Sequence, residues 1–446
     1  MALAPPPDDA LDASVAASRS RFGLGLLVVT IGAAAFAVAF RASLAAAYQM
    51  LYGADNIVDS IAGLPRWVRL TVPIVAAALA GSIARFQSSR TQGVSNVMEA
   101  IALGRVQLSL RSTASRVASS WIAIGGGLSI GREGPLIEMG GALGAAVGRA
   151  VHTSLMQTRV LVAAGTAAGF AAAYNTPFAG SLFVLETMAG IAAPELLLPV
   201  MAATVGATGI MRATVGAGPI YGQRAFGLES YAELLSFALL GIAAAVVALA
   251  FKTMLAVLER WFETHPVPQP FRASLGGLLV GTIAIWLPAV VGNGYEPLNR
   301  ILDSGIVVSA VVVLVIAKMI ATSGSVASGI PGGIFTPMLL VGAALGAGWS
   351  NIASFDPVSN AGSYALVGMA AATAASIHAP LTAAVMVFEL SGDYLIVLPL
   401  ILATVVATAA SKALGDHSVY ETELRKRGLG WEMTLEGRQM KNSRDE

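Results

Sequence analysis

The sequence predicts an all-α polytopic membrane protein whose membrane part consists of two related halves. Apolar residues make up 56% of the 446 residues and charged residues only 12%, against about 25% charged residues in an ordinary soluble domain. The mean hydropathy of +0.73 agrees with many lipid-facing or buried helices. The third observation is a glycine-rich stretch that recurs after a shift of 202 residues.

Composition also excludes several classes of function. The chain has no cysteine, so a disulfide framework, a thiolate metal site and a thiol redox centre are excluded. Its four histidines lack metal-ligand spacing, and we expect no metal and no cofactor. A net charge of +1 gives no reason to expect nucleic acid as a partner. The sequence has no HExxH motif and no serine–histidine pair at recognisable spacing, so we expect a protein that is not an enzyme.

Apolar stretches mark the expected helices in chain order. They lie near 22–52, 68–84, 117–130, 136–151, 159–173, 177–210, 231–258, 273–292, 306–321, 333–349, 362–376, 380–390 and 395–414. Several are shorter than the roughly 20 residues that a full membrane crossing needs. Short segments interrupted by glycine or proline at matching places in two halves are typical of broken helices around a site at the membrane midplane.

Composition divides the chain into five parts. Residues 1–21 are rich in Pro, Ala and Asp and lack the basic start of a signal peptide, so we predict a cytosolic N-terminal segment. A first membrane repeat at 22–222 and a second at 231–420 are joined by a linker at 223–230. A short cytosolic tail is expected at 421–446.

Basic residues predict the orientation in the membrane. Arg105, Arg111 and Arg116 cluster in one loop, and the basic run at 425–427 opens the tail. Cytoplasmic loops of membrane proteins carry an excess of Lys and Arg. We therefore expect a multi-pass protein of the cell (inner) membrane with both termini in the cytosol.

The stretch GREGP at 131–135 places Arg132 and Glu133 at the start of a predicted intramembrane helix. Pro135 suits the first helical turn, where a missing N–H costs nothing. Small residues at every fourth position then form a stripe that lets membrane helices pack closely: Gly140, Gly144 and Gly148. An ionisable residue inside a membrane is energetically expensive, so Glu133 is a candidate functional residue.

The second half of the chain contains a counterpart of this stretch. The shift of 202 residues places GREGP on GIFTP at 333–337, so that Phe335 stands where the first copy has Glu133. A shift of 203 aligns two further pairs: Pro177 with Pro380, and Glu186 with Glu389. We interpret the matches as an internal duplication and the two later glutamates as structural hydrogen-bonding groups at helix ends. The sequence leaves open whether the copies are parallel or inverted.

Two such helix starts, one from each half, can form an anion site without a basic side chain. The free N–H groups and the positive dipole end of a helix N-terminus attract anions. Glycines in both stretches let the backbone approach the ion. Such a site avoids a permanently buried Lys or Arg, which would hold an ion too tightly for fast release.

Glu133 stands where an anion would otherwise contact these N–H groups. Its ionised carboxylate can take the place of the anion and block the path, and the protonated form can swing away. We therefore predict that Glu133 is a gate and a proton carrier. Glu138, one helical turn further on, is interpreted as structural, with a place on the proton path as the alternative.

These motifs resemble the CLC family of chloride channels and chloride/proton antiporters. The resemblance covers nearly all of residues 22–427 and rests on GREGP and on GIFTP with the preceding run at 328–332. Further matching segments are NTPFAG at 175–180, HAPLT at 378–382 and SVY at 418–420. The family, here of the bacterial type without cytosolic CBS domains, implies an inverted-repeat, all-helical subunit with broken, tilted helices. It also implies a homodimer in the lipid bilayer with one ion pathway in each protomer.

Carried over by position, the resemblance also implies the site residues. Glu133 is the gating glutamate, and the Tyr420 hydroxyl is an inner anion ligand. Backbone amides of both repeats face the anion: those around Arg132, Glu133 and Gly134, and those of Ile334 and Phe335.

Two positions depart from the family pattern. The first signature, usually GSGIP, reads TQGVS at 91–95, so Gln92 stands where a serine hydroxyl usually meets the anion and Ser95 replaces the proline. The Gln92 amide can still donate a hydrogen bond, which leaves the anion selectivity open. Thr187 stands where many antiporters of the family have an inner proton-transfer glutamate, and threonine cannot carry a proton by titration.

The preferred prediction is transport of chloride in exchange for protons. Glu133 favours exchange, whereas Thr187 favours the alternative of a passive voltage- or pH-gated chloride channel. Nitrate, given Gln92, and fluoride are alternative anions. The expected partners are chloride or another small anion, protons, the lipid bilayer and a second copy of the chain.

Overall fold

The computed structural model describes residues 8–84, 93–104, 108–189, 194–216, 218, 220–221, 230–304, 306–353, 357–434 and 437–442. Three positions singled out in the sequence, Thr91, Gln92 and Arg105, lie outside these ranges. So does nearly all of the predicted linker at 223–230.

The first half of the chain folds into helices of very different lengths. In order they are α1 (Asp8–Tyr52), α2 (Ile57–Gly63), α3 (Arg66–Ala84), α4 (Val94–Leu103), α5 (Leu110–Gly125), α6 (Glu133–Ala150), α7 (Leu155–Tyr174), α8 (Pro177–Val184) and α9 (Pro194–Val215). A π-helical turn, Leu185–Ala189, continues α8.

The second half has a similar succession of long and short helices. In order they are α10 (Glu233–Thr264), α11 (Gln269–Ala284), the 3₁₀ turn Pro288–Val290, α12 (Tyr295–Ser304), α13 (Val308–Ala327), α14 (Phe335–Ala353), α15 (Pro357–Ile377), α16 (Pro380–Ser391), α17 (Val397–Ala413) and α18 (Val419–Lys426). Within the predicted tail, β1 (Leu429–Thr434) pairs antiparallel with β2 (Gly437–Asn442).

Most helices coincide with the predicted apolar stretches, and the differences have local causes. The stretch 177–210 is not one helix, because α8 passes into the π-helical turn and α9 begins only at Pro194. The stretch 117–130 ends early: α5 stops at Gly125, and Gly127 follows with φ +85°, a conformation that favours glycine. The short helices α2, α12 and α18 were not predicted, because their charged residues keep their sequences from standing out as apolar runs.

The protein is an integral membrane protein. Within the described residues, five helical segments are long and apolar enough to cross a membrane: Ser18–Gly63, Arg66–Ala84, Glu195–Val215, Glu233–Thr264 and Val308–Ala327. Shorter apolar helices accompany them: α8 lies between the second and third of these segments, and α16 and α17 follow the last. The chain therefore combines long apolar helices with shorter ones.

The predicted glycine stripe on α6 packs against α7. A Cβ atom at Gly140 would overlap the carbonyl of Gly165, and one at Gly144 would overlap the carbonyl of Leu161. The second half repeats the arrangement, since a Cβ at Gly342 would overlap the carbonyl of Gly368. Only glycine permits this backbone-to-backbone approach, and it brings each helix of the pair within contact of the other.

The two halves meet at the two repeated motifs. The N–H of Gly131 donates to the carbonyl of Gly333 at 2.7 Å, and the N–H of Gly333 donates to the carbonyl of Gly131 at 3.2 Å. The pair forms an isolated antiparallel bridge. Equivalent residues exchange equivalent bonds, as a two-fold rotation between the halves requires. The bridge places the starts of α6 and α14 side by side.

Candidate functional site

The carboxylate of Glu133 lies on the N-terminus of α14, a helix of the other repeat. Its Oε1 accepts hydrogen bonds from the backbone N–H of Phe335 at 3.0 Å and of Thr336 at 3.4 Å. Its Oε2 accepts from the Thr336 hydroxyl at 2.8 Å. The Glu133 residue is only 2% exposed. A single negative group is thus enclosed by donors of the opposite half.

Helix geometry explains why these donors are available. The first N–H groups of an α-helix have no partner within the helix, and the aligned peptide dipoles add a partial positive charge at that end. Phe335 and Thr336 are the first residues of α14, so their N–H groups point out of the helix toward the Gly131–Gly333 bridge. Pro337 follows without the need for a free N–H.

The second oxygen of Glu133 is held through a short polar chain. The Tyr174 hydroxyl, at the end of α7, lies 2.7 Å from the Thr336 hydroxyl, and both groups are buried. The Thr336 hydroxyl can therefore accept a hydrogen bond from the Tyr174 hydroxyl while it donates one to Glu133. The position of the carboxylate is set by groups from both halves.

A cavity of about 210 Å³ leads to Glu133. It is lined at one end by Glu133, Gly134 and Ile334, and at the other by the half-exposed Glu423 and Lys426 of α18. In α18, outside the membrane-spanning helices, burial raises the pKa of Glu423 above its ordinary value, while the nearby Lys426 opposes the shift. The cavity connects the surface on the α18 side with the gate candidate.

Most sequence-predicted site residues lie around this cavity. Gly134, Ile334 and the half-buried Tyr420 line it, and Arg132 precedes the first turn of α6 as its N-cap residue. Ser95, in the first turn of α4, also lines it. Gln92 is outside the described residues, and its contact with an anion stays a prediction.

Aromatic rings surround the passage between Tyr420 and Phe335. The Phe183 ring lies between them, with its centroid 5.9 Å from that of Tyr420 and 6.4 Å from that of Phe335, edge to face in both pairs. Phe170 stacks on Phe183 at 4.4 Å. The rings fix the Tyr420 side chain at the wall of the cavity.

Thr187 lies apart from the acidic groups of the cavity. It is 5% exposed, sits in the π-helical turn after α8, and its hydroxyl donates to the carbonyl of Phe183. The hydroxyl therefore serves the local backbone, and the residue offers no titratable group.

Glu138 of α6 forms an ion pair with Arg116 of α5. The Arg116 Nε lies 2.8 Å from Glu138 Oε2, and Nη2 lies 3.2 Å from Oε1. Both side chains line the cavity that reaches Glu133. In the sequence, Arg116 stands out only as one of the basic residues that indicate orientation, and no local pattern predicts its pairing with Glu138.

Glu186 and Glu389, the repeat-related glutamates, each bind a helix start of the opposite repeat. Glu389 accepts hydrogen bonds from the N–H groups of Phe178 at 3.1 Å and Ala179 at 2.8 Å, at the start of α8. Glu186 accepts from the N–H of Thr382 at 2.7 Å and from its hydroxyl at 2.7 Å, at the start of α16. The interpretation as hydrogen-bonding groups at helix ends is confirmed.

The two intramembrane lysines bind backbone carbonyls. Lys318 is fully buried, and its Nζ donates to the carbonyls of Val290 at 2.9 Å and Gly292 at 2.8 Å. Lys252 donates to the carbonyl of His417 at 2.9 Å and forms an ion pair with Asp416. Within the part of the chain that the structure describes, no group of three or more His, Cys, Asp or Glu could hold a metal ion.

Known proteins match the chain over most of its length. The model of the voltage gated chloride channel family matches residues 74–412. A protein of Ralstonia nicotianae named as a ClcB-like chloride channel protein is 38% identical over 404 residues, which cover 87% of this chain and 93% of the relative. The voltage-gated ClC-type chloride channel ClcB of Escherichia coli O81 is 30% identical over 417 residues, which cover 90% and 99%.

Solved structures have the same fold. A slow cyanobacterial Cl⁻/H⁺ antiporter superposes with a TM-score of 0.82 at 24% identity and covers 91% of this chain and 98% of its own. A CLC-type fluoride/proton antiporter superposes with a TM-score of 0.74 at 20% identity, with the same coverage of 91% and 98%. In the membrane part, the predicted all-helical architecture with two inverted repeats and broken helices is confirmed, whereas the tail contains the β1–β2 hairpin.

Proposed function

This chain belongs to the voltage gated chloride channel family, the CLC family, and we propose that it transports chloride across a membrane in exchange for protons. One observation carries the proposal: the Glu133 carboxylate occupies the N–H groups of Phe335 and Thr336 at the start of α14. These donors and the helix dipole suit a small anion equally well. Glu133 is thus a tethered anion in a site that also suits a free one. Such an arrangement serves anion transport and not enzymatic catalysis.

Protonation provides the coupling between the two ions. Hydrogen bonds from N–H groups to an ionised carboxylate are about twice as strong as those to a neutral acceptor. A proton on Glu133 removes the charge that holds the side chain at α14, so the side chain leaves and an anion takes its place. The glutamic acid then releases its proton, and the ionised carboxylate returns to the N–H groups and displaces the anion. One group therefore carries the proton and opens the anion path.

The backbone around the gate supplies the remaining contacts to the anion. In the proposal, N–H groups near Arg132 and Gly134 act from the first repeat and those of Ile334 and Phe335 from the second. The Tyr420 hydroxyl, at the cavity wall, donates from the α18 side. Gln92 would add an amide donor, and with it a preference among chloride, nitrate and fluoride.

Passive chloride conduction is the second candidate. Thr187 favours it, because this buried residue offers no titratable group and its hydroxyl is bonded to Phe183. In that case Glu133 opens the path on protonation, but no stoichiometric proton movement accompanies the anion.

The contacts of the termini support a location of both on the cytosolic side of the cell (inner) membrane. Ser18 accepts from Gln157 at 3.0 Å, and Arg159 donates to the carbonyl of Ile101 at the end of α4. Arg427 lies 3.7 Å from Glu99 of the same helix. The N-terminal part of α1, the α6–α7 turn, α4 and the tail therefore share one side, which carries the basic run at 425–427.

A second copy of the chain is proposed to cover the apolar groove between the repeats. This groove of about 370 Å³ is lined by equivalent elements of both halves, α8 and α9 from the first and α16 and α17 from the second. Phe178 of α8 is 56% exposed and Tyr394, before α17, is 78% exposed. These elements fall in the apolar runs 178–210 and 380–410, and the family implies a homodimer.

Reconstitution into liposomes tests the proposed exchange. An outward chloride gradient is imposed at equal pH on both sides, and the external pH is recorded. Exchange predicts that chloride leaving the vesicles drives protons inward, against a proton gradient as well. Because chloride efflux and proton entry both move positive charge inward, a potassium ionophore supplies the counter-current in either case. A passive conductor would then release chloride and leave the pH unchanged.

A further inference from the structure

Proton exchange requires a path for protons between Glu133 and the surface on the α18 side. The position that Thr187 occupies has no titratable group, and its hydroxyl is already bonded to the backbone. A route through the 210 Å³ cavity is open instead, because a cavity of that size with several charged side chains in its wall has room for water molecules. The inference below rests on the proposed exchange.

The acidic side chains along the cavity differ in depth. Besides Glu133, the described lining includes three carboxylates: Glu138, Glu259 and Glu423. Their side chains are 11%, 25% and 40% exposed, in that order. Glu138 is therefore the innermost of the three. It lies five residues beyond Glu133 on α6, about 7.5 Å along the helix axis at 1.5 Å per residue.

The contacts of Glu138 suit a group that takes up and gives away a proton. Arg116 binds its carboxylate in a largely buried place, through one short bond from Nε to Oε2 at 2.8 Å and a longer one from Nη2 to Oε1 at 3.2 Å. Oε1 is the weaker-held oxygen. A proton can bind there while the shorter bond to Arg116 remains.

The other titratable groups on the cavity wall are committed to partners or lie at its mouth. Lys426 pairs with Glu259 at 2.6 Å and lies 3.9 Å from Glu423, and all three are at least 25% exposed. Lys252 pairs with Asp416. The Tyr420 ring is packed edge to face against Phe183, and a phenol is a poor proton acceptor at neutral pH.

We infer that Glu138 is the proton-transfer residue between the cavity mouth and Glu133. A hydronium ion or water at the mouth gives a proton to Glu138 Oε1. The Glu138 acid passes it to water in the cavity, and that water delivers it to a carboxylate oxygen of Glu133. Each donor ends one proton poorer and each acceptor one proton richer, and no other bond changes. The reverse sequence carries protons outward to the mouth.

Chloride-driven proton movement in liposomes tests the inference, expressed as the ratio of proton to chloride flux in the same vesicles. Glu138→Gln alone leaves a buried, unpaired Arg116, which is strongly destabilising. The main variant is therefore the double substitution Arg116→Gln with Glu138→Gln, which removes the carboxylate without stranding a charge. Arg116→Lys alone retains the carboxylate and its positive partner, and Glu259→Gln removes a carboxylate at the mouth.

The double variant is expected to lose at least nine-tenths of the flux ratio, with chloride efflux still well above that of empty vesicles. Arg116→Lys and Glu259→Gln are expected to keep the ratio within about twofold of the unmodified protein. A double variant with an unchanged ratio overturns the inference and leaves the exchange proposal standing. If the unmodified protein moves no protons, the exchange proposal fails and this inference fails with it.

Discussion

The carboxylate of Glu133 accepts a hydrogen bond from the backbone N–H of Phe335 at 3.0 Å, although the two residues stand at equivalent positions of opposite repeats. In the second repeat, Phe335 offers its backbone N–H at the start of a helix; in the first, Glu133 supplies the carboxylate that accepts the bond. The duplication has thus produced a donor half and an acceptor half. The proposed gate lies where the two halves meet.

Removal of the Thr336 hydroxyl is expected to weaken the closed position of the gate. The hydroxyl donates to Glu133 Oε2 at 2.8 Å, and a hydrogen bond to a charged group contributes about 1.5–3 kcal/mol. Thr336→Val should therefore shift the side chain roughly ten- to a hundredfold toward the open position and raise chloride flux at neutral pH. Thr336→Ser keeps the hydroxyl and is the matched control. Equal fluxes in the two variants would count against this role for Thr336.

A methyl group at Gly333 is expected to displace Glu133. The added Cβ would overlap the Oε1 and Cδ atoms of the Glu133 side chain, and atoms that are not bonded to each other cannot approach so closely. Gly333→Ala should raise uncoupled chloride flux severalfold and lower the number of protons moved per chloride. Gly125→Ala is the control, because a Cβ at that buried glycine meets nothing within 4 Å. A Gly333→Ala protein with normal coupling would contradict a role for the observed position of the Glu133 carboxylate.

Loss of either reciprocal glutamate is expected to destabilise the fold. Glu389 binds two N–H groups at the start of α8, and Glu186 binds the start of α16. Each buried donor left without a partner costs about 1–3 kcal/mol. Glu186→Ala and Glu389→Ala should therefore lower the free energy of unfolding by similar amounts, measured by denaturant titration in detergent. The exposed Glu195 of α9 is the control, since Glu195→Ala should change the free energy of unfolding by about 0.5 kcal/mol or less.

Gln92 is expected to set part of the anion selectivity. Its amide can donate two hydrogen bonds from a flexible side chain, whereas a serine hydroxyl donates one. Gln92→Ser should therefore change the ratio of chloride to nitrate permeability, which competitive flux measurements in liposomes can detect. An identical ratio in the variant and the unmodified protein would remove Gln92 from the anion path.

The sequence predicted the position of the Glu133 carboxylate well because that position depends on repeated backbone motifs. GREGP and GIFTP each specify a tight approach followed by a helix start, and their duplication indicated that the two starts act together. The resulting expectation, a Glu133 carboxylate on the N–H groups around Phe335, matches the observed hydrogen bonds. The prediction that Glu186 and Glu389 bind helix ends followed from the same internal repeat, which aligns the two glutamates.

Contacts between distant parts of the chain were beyond sequence reasoning. The Thr336 hydroxyl is part of GIFTP, yet only the packed structure shows that it reaches Glu133 and that Tyr174 lies behind it. The bond between Arg116 and Glu138 joins two helices whose relative rotation no local pattern specifies. The π-helical turn at Leu185–Ala189 likewise depends on how α8 packs.

Replacement of the gate carboxylate should separate anion movement from proton movement. Glu133→Gln removes the titratable group but keeps similar size, so the side chain can no longer bind the N–H groups as an anion or carry a proton. We expect chloride flux to persist and proton movement to fall to the level of empty vesicles. Proton movement that continued in the variant would remove Glu133 from the coupling mechanism.

The most direct measurement is the reversal potential of the purified protein in a bilayer with a fixed chloride gradient, recorded with and without a pH gradient. Chloride/proton exchange predicts that each unit of pH difference shifts the reversal potential by a fixed fraction of the roughly 59 mV expected for a tenfold gradient of a singly charged ion. If the chloride gradient alone sets the potential, no proton is coupled to the anion. The protein is then a passive chloride conductor, and Glu133 acts only as its gate.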